Sequence, residues 1–342
     1  MLSVDEPGRP LLHADMLPAR YAGLRDQVRD FLTGELEAGS FVPRCDSWLT
    51  GFDAQFSRRV GERGWIGTTF PKQYGGAGAD PWPGSSSWRN CSPRVPRSRR
   101  TGSLIVSPVL RSSGSARRIS GTRHADYAVI LINAINGEEG RRVAVVPLAE
   151  AVLRPGSNIA GEPRDDVVLS QVAVPPAHVY AFDGAEPGAV DLLRRGAFGR
   201  SALMAGAARG VCAYAARYAG ERRQFGRPLA AMQAVQQQLA ELAAEASAMT
   251  VAAEAAADLN PAESWALDAA RIRIAGAAGT VAAIGHQILG AIGFTEEHPL
   301  HRLTTRLWAW REEYGNHTFW SESLGAELAR TRDLPLWHRI TR

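Results

Sequence analysis

Apolar residues recur at helical spacing twice near the start of the chain, at Tyr21, Leu24, Val28, Phe31 and Leu32, then at Phe52, Phe56 and Val60. Positions three and four apart share one face of a helix, so residues 18–64 predict two amphipathic helices. Between 125 and 174 the pattern turns to β. Residues 127–132, 142–146 and 166–174 are rich in valine and isoleucine, and Pro175-Pro176 closes the block. From about Val190 the helical period returns and holds almost to the end. Met232, Val235, Leu239, Leu242, Ala246 and Met249 make one stripe. Pro261 breaks that helix, a second spans about 262–291, and Pro299 opens another. Long helices with short connections predict a four-helix bundle. The expected fold is mostly α, with helices first, a small β unit next and the bundle last.

Residues 81–120 fit neither period. Serine, arginine and proline crowd together there, as in an irregular segment. Eight arginines fall in this stretch without an acid or a lysine, and the chain's formal charge is +4. Without those eight the rest is mildly acidic, so no nucleic-acid partner is expected. The predicted divisions are 1–80 helical, 81–120 irregular, 121–186 β, 187–332 helical bundle and 333–342 tail. The three cysteines, Cys45, Cys91 and Cys212, are far apart. They imply no disulfide framework or zinc site, and a reducing, cytoplasmic setting suits them. The first residues carry Asp5 and Glu6 and do not read as a signal peptide. The uncharged run from Ile274 to Phe294 is long enough to span a membrane, but alanine and glycine dominate it. It reads as a tightly packed core helix rather than a span. The glycine cluster from Gly64 to Gly78 lacks the third glycine and the preceding strand of a dinucleotide fingerprint, and reads as a turn.

One segment is highly specific. Arg217-Tyr218-Ala219-Gly220-Glu221-Arg222-Arg223-Gln224-Phe225-Gly226-Arg227-Pro228, followed by Gln233 and Gln236, resembles a signature of the acyl-CoA dehydrogenase family. His286-Gln287-Ile288-Leu289-Gly290-Ala291-Ile292-Gly293-Phe294-Thr295, with Glu297 and Pro299, resembles the second. Tyr74 to Gly78 and Asp166 to Pro175 match the family's N-terminal and middle domains. The resemblance implies FAD as cofactor, an acyl-CoA substrate and an oligomer, either of one chain or with a related catalytic subunit. It implies cofactor contacts at Arg222, Gln224, Phe225, Gln233, Gln287 and Gly290. The chemistry suits them: a guanidinium forks onto phosphate oxygens, side-chain amides serve neutral polar groups, and Phe225 can pack on adenine. Gln287 and Gly290 match places where backbone passes close to a partner subunit's cofactor. The alternative is that Phe225 belongs to the core and Arg222 to a surface ion pair.

Two departures from the family stand out. The reaction needs a carboxylate as general base, worth about 10²–10⁴ in rate. The family's two places for it correspond here to Tyr314, before Gly315, and to Gly196, beside Arg194 and Arg195. No catalytic residue is therefore assigned. Glu312 and Glu313 adjoin the first slot but read as solvated charges, with Trp308, Trp310, Arg311 and Tyr314 filling the space. Such a chain resembles the base-lacking subunit of a heteromeric dehydrogenase. The second departure is residues 81–120. Read one base out of step with GC-rich codons, they regain a helix-like apolar pattern similar to the family's. A frame disruption, and an inactive product of a disrupted gene, are further readings. The strands and helix pair expected beside this segment are absent from the sequence.

Overall fold

The computed structural model describes residues 19–40, 53–65, 115–120, 122–135, 138–170, 172, 179–181, 189–258 and 264–330. Among them are seven α-helices and eight strands. The chain divides into two compact units, Gly23–Gly196 and a second made of Met1–Ala22 with Ala197–Arg342. The motif from Tyr74 to Gly78, the breaking Pro261 and the tail lie outside the described residues.

The two predicted helices are present as α1 (Ala19–Glu37), most of it in the first unit, and α2 (Ala54–Glu62). Asp53 starts α2, because its Oδ1 accepts from the backbone N–H of Gln55 at 2.7 Å and of Phe56 at 3.0 Å. Those donors would otherwise lack partners in the first turn. Val28, Leu32 and Phe56 are buried together, with Phe31 packed on Phe56 and Trp65. Arg59 adds a two-pronged bond to Glu35, at 2.8 and 2.5 Å.

Two three-stranded antiparallel sheets follow. One orders β1 (Ser115–Ser120), β5 (Arg164–Val168) and β4 (Val152–Arg154). The other orders β2 (Tyr127–Ile135), β3 (Glu138–Pro147) and β6 (Val179–Ala181). The predicted strands over 127–132 and 142–146 pair as a hairpin, Tyr127 opposite Pro147 and Ile132 opposite Arg142. The expectation that 81–120 is irregular fails at its end. Ser115–Ser120 is a six-residue strand whose Ile119 is buried beside Val167. Its composition is a poor strand signal, but β5 supplies the backbone partners and one apolar anchor suffices to fix register. A bulge between Ala116 and Ile119, with Arg118 at φ 55°, absorbs the mismatch. Residues 81–114 lie outside the described residues.

Asp165 ties this unit together. Its buried carboxylate accepts from the Thr122 hydroxyl at 2.8 Å, from the Gly156 N–H at 3.1 Å and from the Arg123 guanidinium. Burial alone would raise its pKa. The bonds from Arg123, Gly156 and Thr122 outweigh that and hold it below the usual carboxylate range.

The rest of the described chain is mostly helical. α3 (Ala189–Glu221) runs for 33 residues, and α4 (Gln233–Asp258) and α5 (Ser264–Leu289) for 26 each. The fourth helix of the expected bundle is divided into α6 (Leu300–Trp310) and α7 (His317–Arg330). α5 packs on α4, α6 and α7. Met204, Val211, Leu242, Met249, Ile274, Val281, Leu303 and Leu307 are almost wholly buried. The helices come close because of missing side chains. A Cβ at Gly210 would lie 2.6 Å from Leu303 Cδ1, and one at Gly285 2.6 Å from Val211 Cγ1. The stripe on α4 is only half used: Leu242, Ala246 and Met249 are buried, whereas Met232, Val235 and Leu239 remain partly exposed. By length and composition Trp265–Phe294 could cross a membrane, yet 56% of its apolar window is buried within the protein.

Candidate functional site

The residues singled out in the sequence fall at two turns, with Gln287 and Gly290 apart from both by the end of α5. The first is a short hairpin between α3 and α4. The strands β7 (Arg223–Gln224) and β8 (Arg227–Pro228) pair across a two-residue turn. Its centre, Phe225-Gly226, has φ of 52° and 76°. Two successive positive φ values match the twist of a tight hairpin, which normally selects Asn-Gly or Gly-Gly. A bulky aromatic in the first position is strained by about 1–2 kcal/mol. Phe225 is nevertheless 92% exposed, so no packing in this chain offsets the strain. The reading of Phe225 as core is thereby excluded. Arg222 is also exposed, and no ion pair or side-chain hydrogen bond joins it to any described residue. Among the described residues the Gln224 side chain reaches the neighbouring carbonyl of Arg223, at 2.8 Å. Gln233 is exposed at the first position of α4.

Gln287 is exposed near the end of α5, and Gly290 follows at φ 62° with open space where a Cβ would stand. No hydrogen bond, ion pair or ring contact among the described residues joins the hairpin to this turn. The structure therefore groups Arg222, Gln224 and Phe225, sets Gln233 just beyond them, and leaves Gln287 and Gly290 apart.

The second place is the turn between α6 and α7, where the base was sought. Tyr314 has φ 57° and Gly315 φ 89°. A Cβ at Gly315 would approach the Phe319 ring and the Trp320 indole to 2.7 Å, so only glycine fits. The Tyr314 carbonyl accepts from Trp320 Nε1 at 3.0 Å. Glu313 does not behave as the solvated charge expected of it. Its Oε2 lies 2.6 Å from Arg200 Nε on α3, and Arg200 is itself buried. The Arg200 guanidinium sits 5.8 Å from the Trp310 ring and 5.7 Å from the Tyr314 ring. Glu312 is exposed and pairs with Arg311, as expected of a surface charge. Trp308 goes elsewhere, stacking with His286 at 5.8 Å. Gly196 lies on α3, four residues before Arg200.

Sequence reasoning missed Arg200 and Arg271. Both were readable as charges on an apolar stripe: Leu267, Arg271, Ile274 and Ala278 are spaced by four, three and four, and all are buried.

The comparisons agree with these motifs. A model described as the acyl-CoA dehydrogenase C-terminal domain matches residues 189–316, and one described as the acyl-CoA dehydrogenase N-terminal domain matches residues 20–85. Together they span more than half of the chain, and the chain belongs to the acyl-CoA dehydrogenase family. It is similar to a probable short/branched chain specific acyl-CoA dehydrogenase of Dictyostelium discoideum, 26% identical over 201 residues, covering 56% of this chain and 49% of that protein. It is 28% identical over 149 residues to the acryloyl-CoA reductase (NADH) of Anaerotignum propionicum, covering 42% and 38%. The chain thus aligns with half or less of the length of these curated relatives. In structure it resembles a glutaryl-CoA dehydrogenase bound to glutaryl-CoA, with TM-score 0.73, 20% identity and coverage of 92% and 96%. It also resembles a glutaryl-CoA dehydrogenase of Mycobacterium smegmatis complexed with FADH2, with TM-score 0.74, 16% identity and coverage of 94% and 98%. An acyl-CoA dehydrogenase of Bacillus anthracis complexed with FAD gives TM-score 0.75, 16% identity and coverage of 96% and 70%.

Proposed function

We propose that this chain is an FAD-binding subunit of an acyl-CoA dehydrogenase, completing a cofactor site in an oligomer that acts on an acyl-CoA thioester. The observation that carries the reading is the exposed, strained Phe225 on its hairpin beside Arg222, which pairs with no described residue. Strain that no described residue offsets suits a surface that another body covers. Arg222 would hold phosphate, Gln224 and Gln233 neutral polar groups, and Phe225 the adenine. Gln287 and Gly290 would meet the cofactor from a separate position. That they share no contact with the hairpin favours contributions to different cofactors, as a homo- or hetero-oligomer allows. The flavin, when bound, supplies the redox chemistry, and these residues supply grip and orientation.

The test is flavin retention by the purified chain. Arg222→Ala is expected to weaken FAD binding at least tenfold, since it removes a charge-assisted contact worth about 1.5–3 kcal/mol. Arg223→Ala should change it much less. Equal losses would show that the motif has been carried over in the wrong register.

A second reading has its own support: the subunit is non-catalytic and pairs with one that holds the base. Tyr314 offers a phenol where the reaction uses a carboxylate as general base. Glu313, the adjacent part-buried carboxylate, pairs with Arg200. The purified chain alone should then show no acyl-CoA-dependent reduction of an electron acceptor. Turnover at ordinary enzyme rates would sink this second reading and leave the first intact.

A further inference from the structure

We propose that Arg271 is the positioning residue of the 311–315 turn, its buried guanidinium fixing the left-handed backbone on which the side chain at 314 is presented. The geometry is unusual for an arginine. Arg271 is 1% exposed, and no carboxylate among the described residues forms an ion pair with it. Its Nη2 lies 2.9, 2.8, 2.8 and 3.0 Å from the carbonyl oxygens of Trp310, Arg311, Glu313 and Gly315. One nitrogen carries two hydrogens, so the four oxygens share them in three-centre bonds. Nη1 reaches Met204 Sδ at 3.3 Å.

The acceptors explain how the charge survives burial. The last carbonyls of α6 have no partners within their own helix, and they carry its partial negative charge. Arg271 takes those carbonyls together with two from the turn beyond. One side chain therefore stops the helix and gathers the next residues around a single point. Tyr314 lies between two of the gathered carbonyls, Glu313 and Gly315, so its backbone has little freedom. Burial first, then Arg200, pushes the Arg271 pKa down to about 10, while Glu313 and Glu312 oppose the fall. The group remains a cation at neutral pH, so the clamp holds.

The clamp itself needs no assumption about catalysis. Its bearing on chemistry rests on the reading of 314 as the base slot. The test uses the full chain labelled with 3-fluorotyrosine, with the Tyr314 resonance assigned by its loss in Tyr314→Phe. A single narrow line is expected in the wild type. Arg271→Met keeps bulk and removes every donor, and should broaden or split the line. Arg271→Lys keeps the charge and should restore a narrow line at neutral pH. That line should degrade as pH rises, because a lysine buried here titrates lower than arginine. A narrow, unmoved Tyr314 line in folded Arg271→Met would overturn the proposal and leave Trp320 and Gly315 as the holders of the turn. If Arg271→Met does not fold, the lysine variant decides: a line independent of pH, at constant helicity, overturns the proposal equally. Flavin affinity, measured on the same proteins, reports on the hairpin rather than the clamp, so failure of either reading is seen separately.

Discussion

Among the described residues an aromatic residue precedes a glycine in left-handed backbone twice, at Phe225-Gly226 and at Tyr314-Gly315. The local geometry is nearly the same, and the surroundings are opposite. Around Tyr314, Arg271 gathers four carbonyls, Trp320 donates to a fifth, and any Cβ on Gly315 would strike two rings. Around Phe225 there is solvent, and a Cβ on Gly226 would meet nothing within 4 Å. Strain at Tyr314-Gly315 is held by the fold. Strain at Phe225-Gly226 is left for something outside the described residues to use.

Paired substitutions test that contrast. Trp320→Ala should cost about 3–5 kcal/mol of stability, since it empties a fully buried site and removes the donor to Tyr314. Phe225→Ala should stay within about 0.5 kcal/mol, as for an ordinary surface position. Chemical denaturation reads both, and similar losses would abolish the distinction. Next in size is Gly315→Ala, expected to cost about 3 kcal/mol from combined backbone strain and overlap. Gly226→Ala has the strain without the overlap and should cost about 1 kcal/mol. The smallest effect sharpens the comparison most. Phe225→Gly should raise stability by about 1 kcal/mol by relieving the left-handed phenylalanine, yet weaken flavin retention. A variant that gains stability and keeps its flavin would show that the aromatic ring has no role in binding.

Much of the fold was legible because burial imposes a period on the sequence. The apolar spacing of Leu24, Val28 and Leu32 located α1, and the valine-rich runs located the β2–β3 hairpin. Two elements were hidden for different reasons. β1 has only Ile119 as an apolar anchor and takes its hydrogen bonds from a strand far along the chain, which no local pattern encodes. The break between α6 and α7 was in view at Tyr314-Gly315-Asn316, with Asn316 Oδ1 accepting from the Phe319 N–H at 3.0 Å. The hairpin residues were singled out by their resemblance to the family's motif, and their types suit a phosphate and a flat ring. Arg271 and Arg200 were missed because a formal charge reads as surface, and only the stripe that each interrupts places it inside.

The apolar run from Trp265 to Phe294 has a consequence during synthesis. α6 and α7, which cover part of α5, are translated after it. Until they arrive, a segment with the length and polarity of a bilayer span lies open on one side. Its safety then depends on order of assembly: α3 and α4 emerge first and can cover part of it early. The close approaches at Gly210 and Gly285 let α3 lie near both α5 and α6. A substitution that slows that docking would prolong exposure and favour aggregation or mistargeting, even where the finished protein is barely less stable.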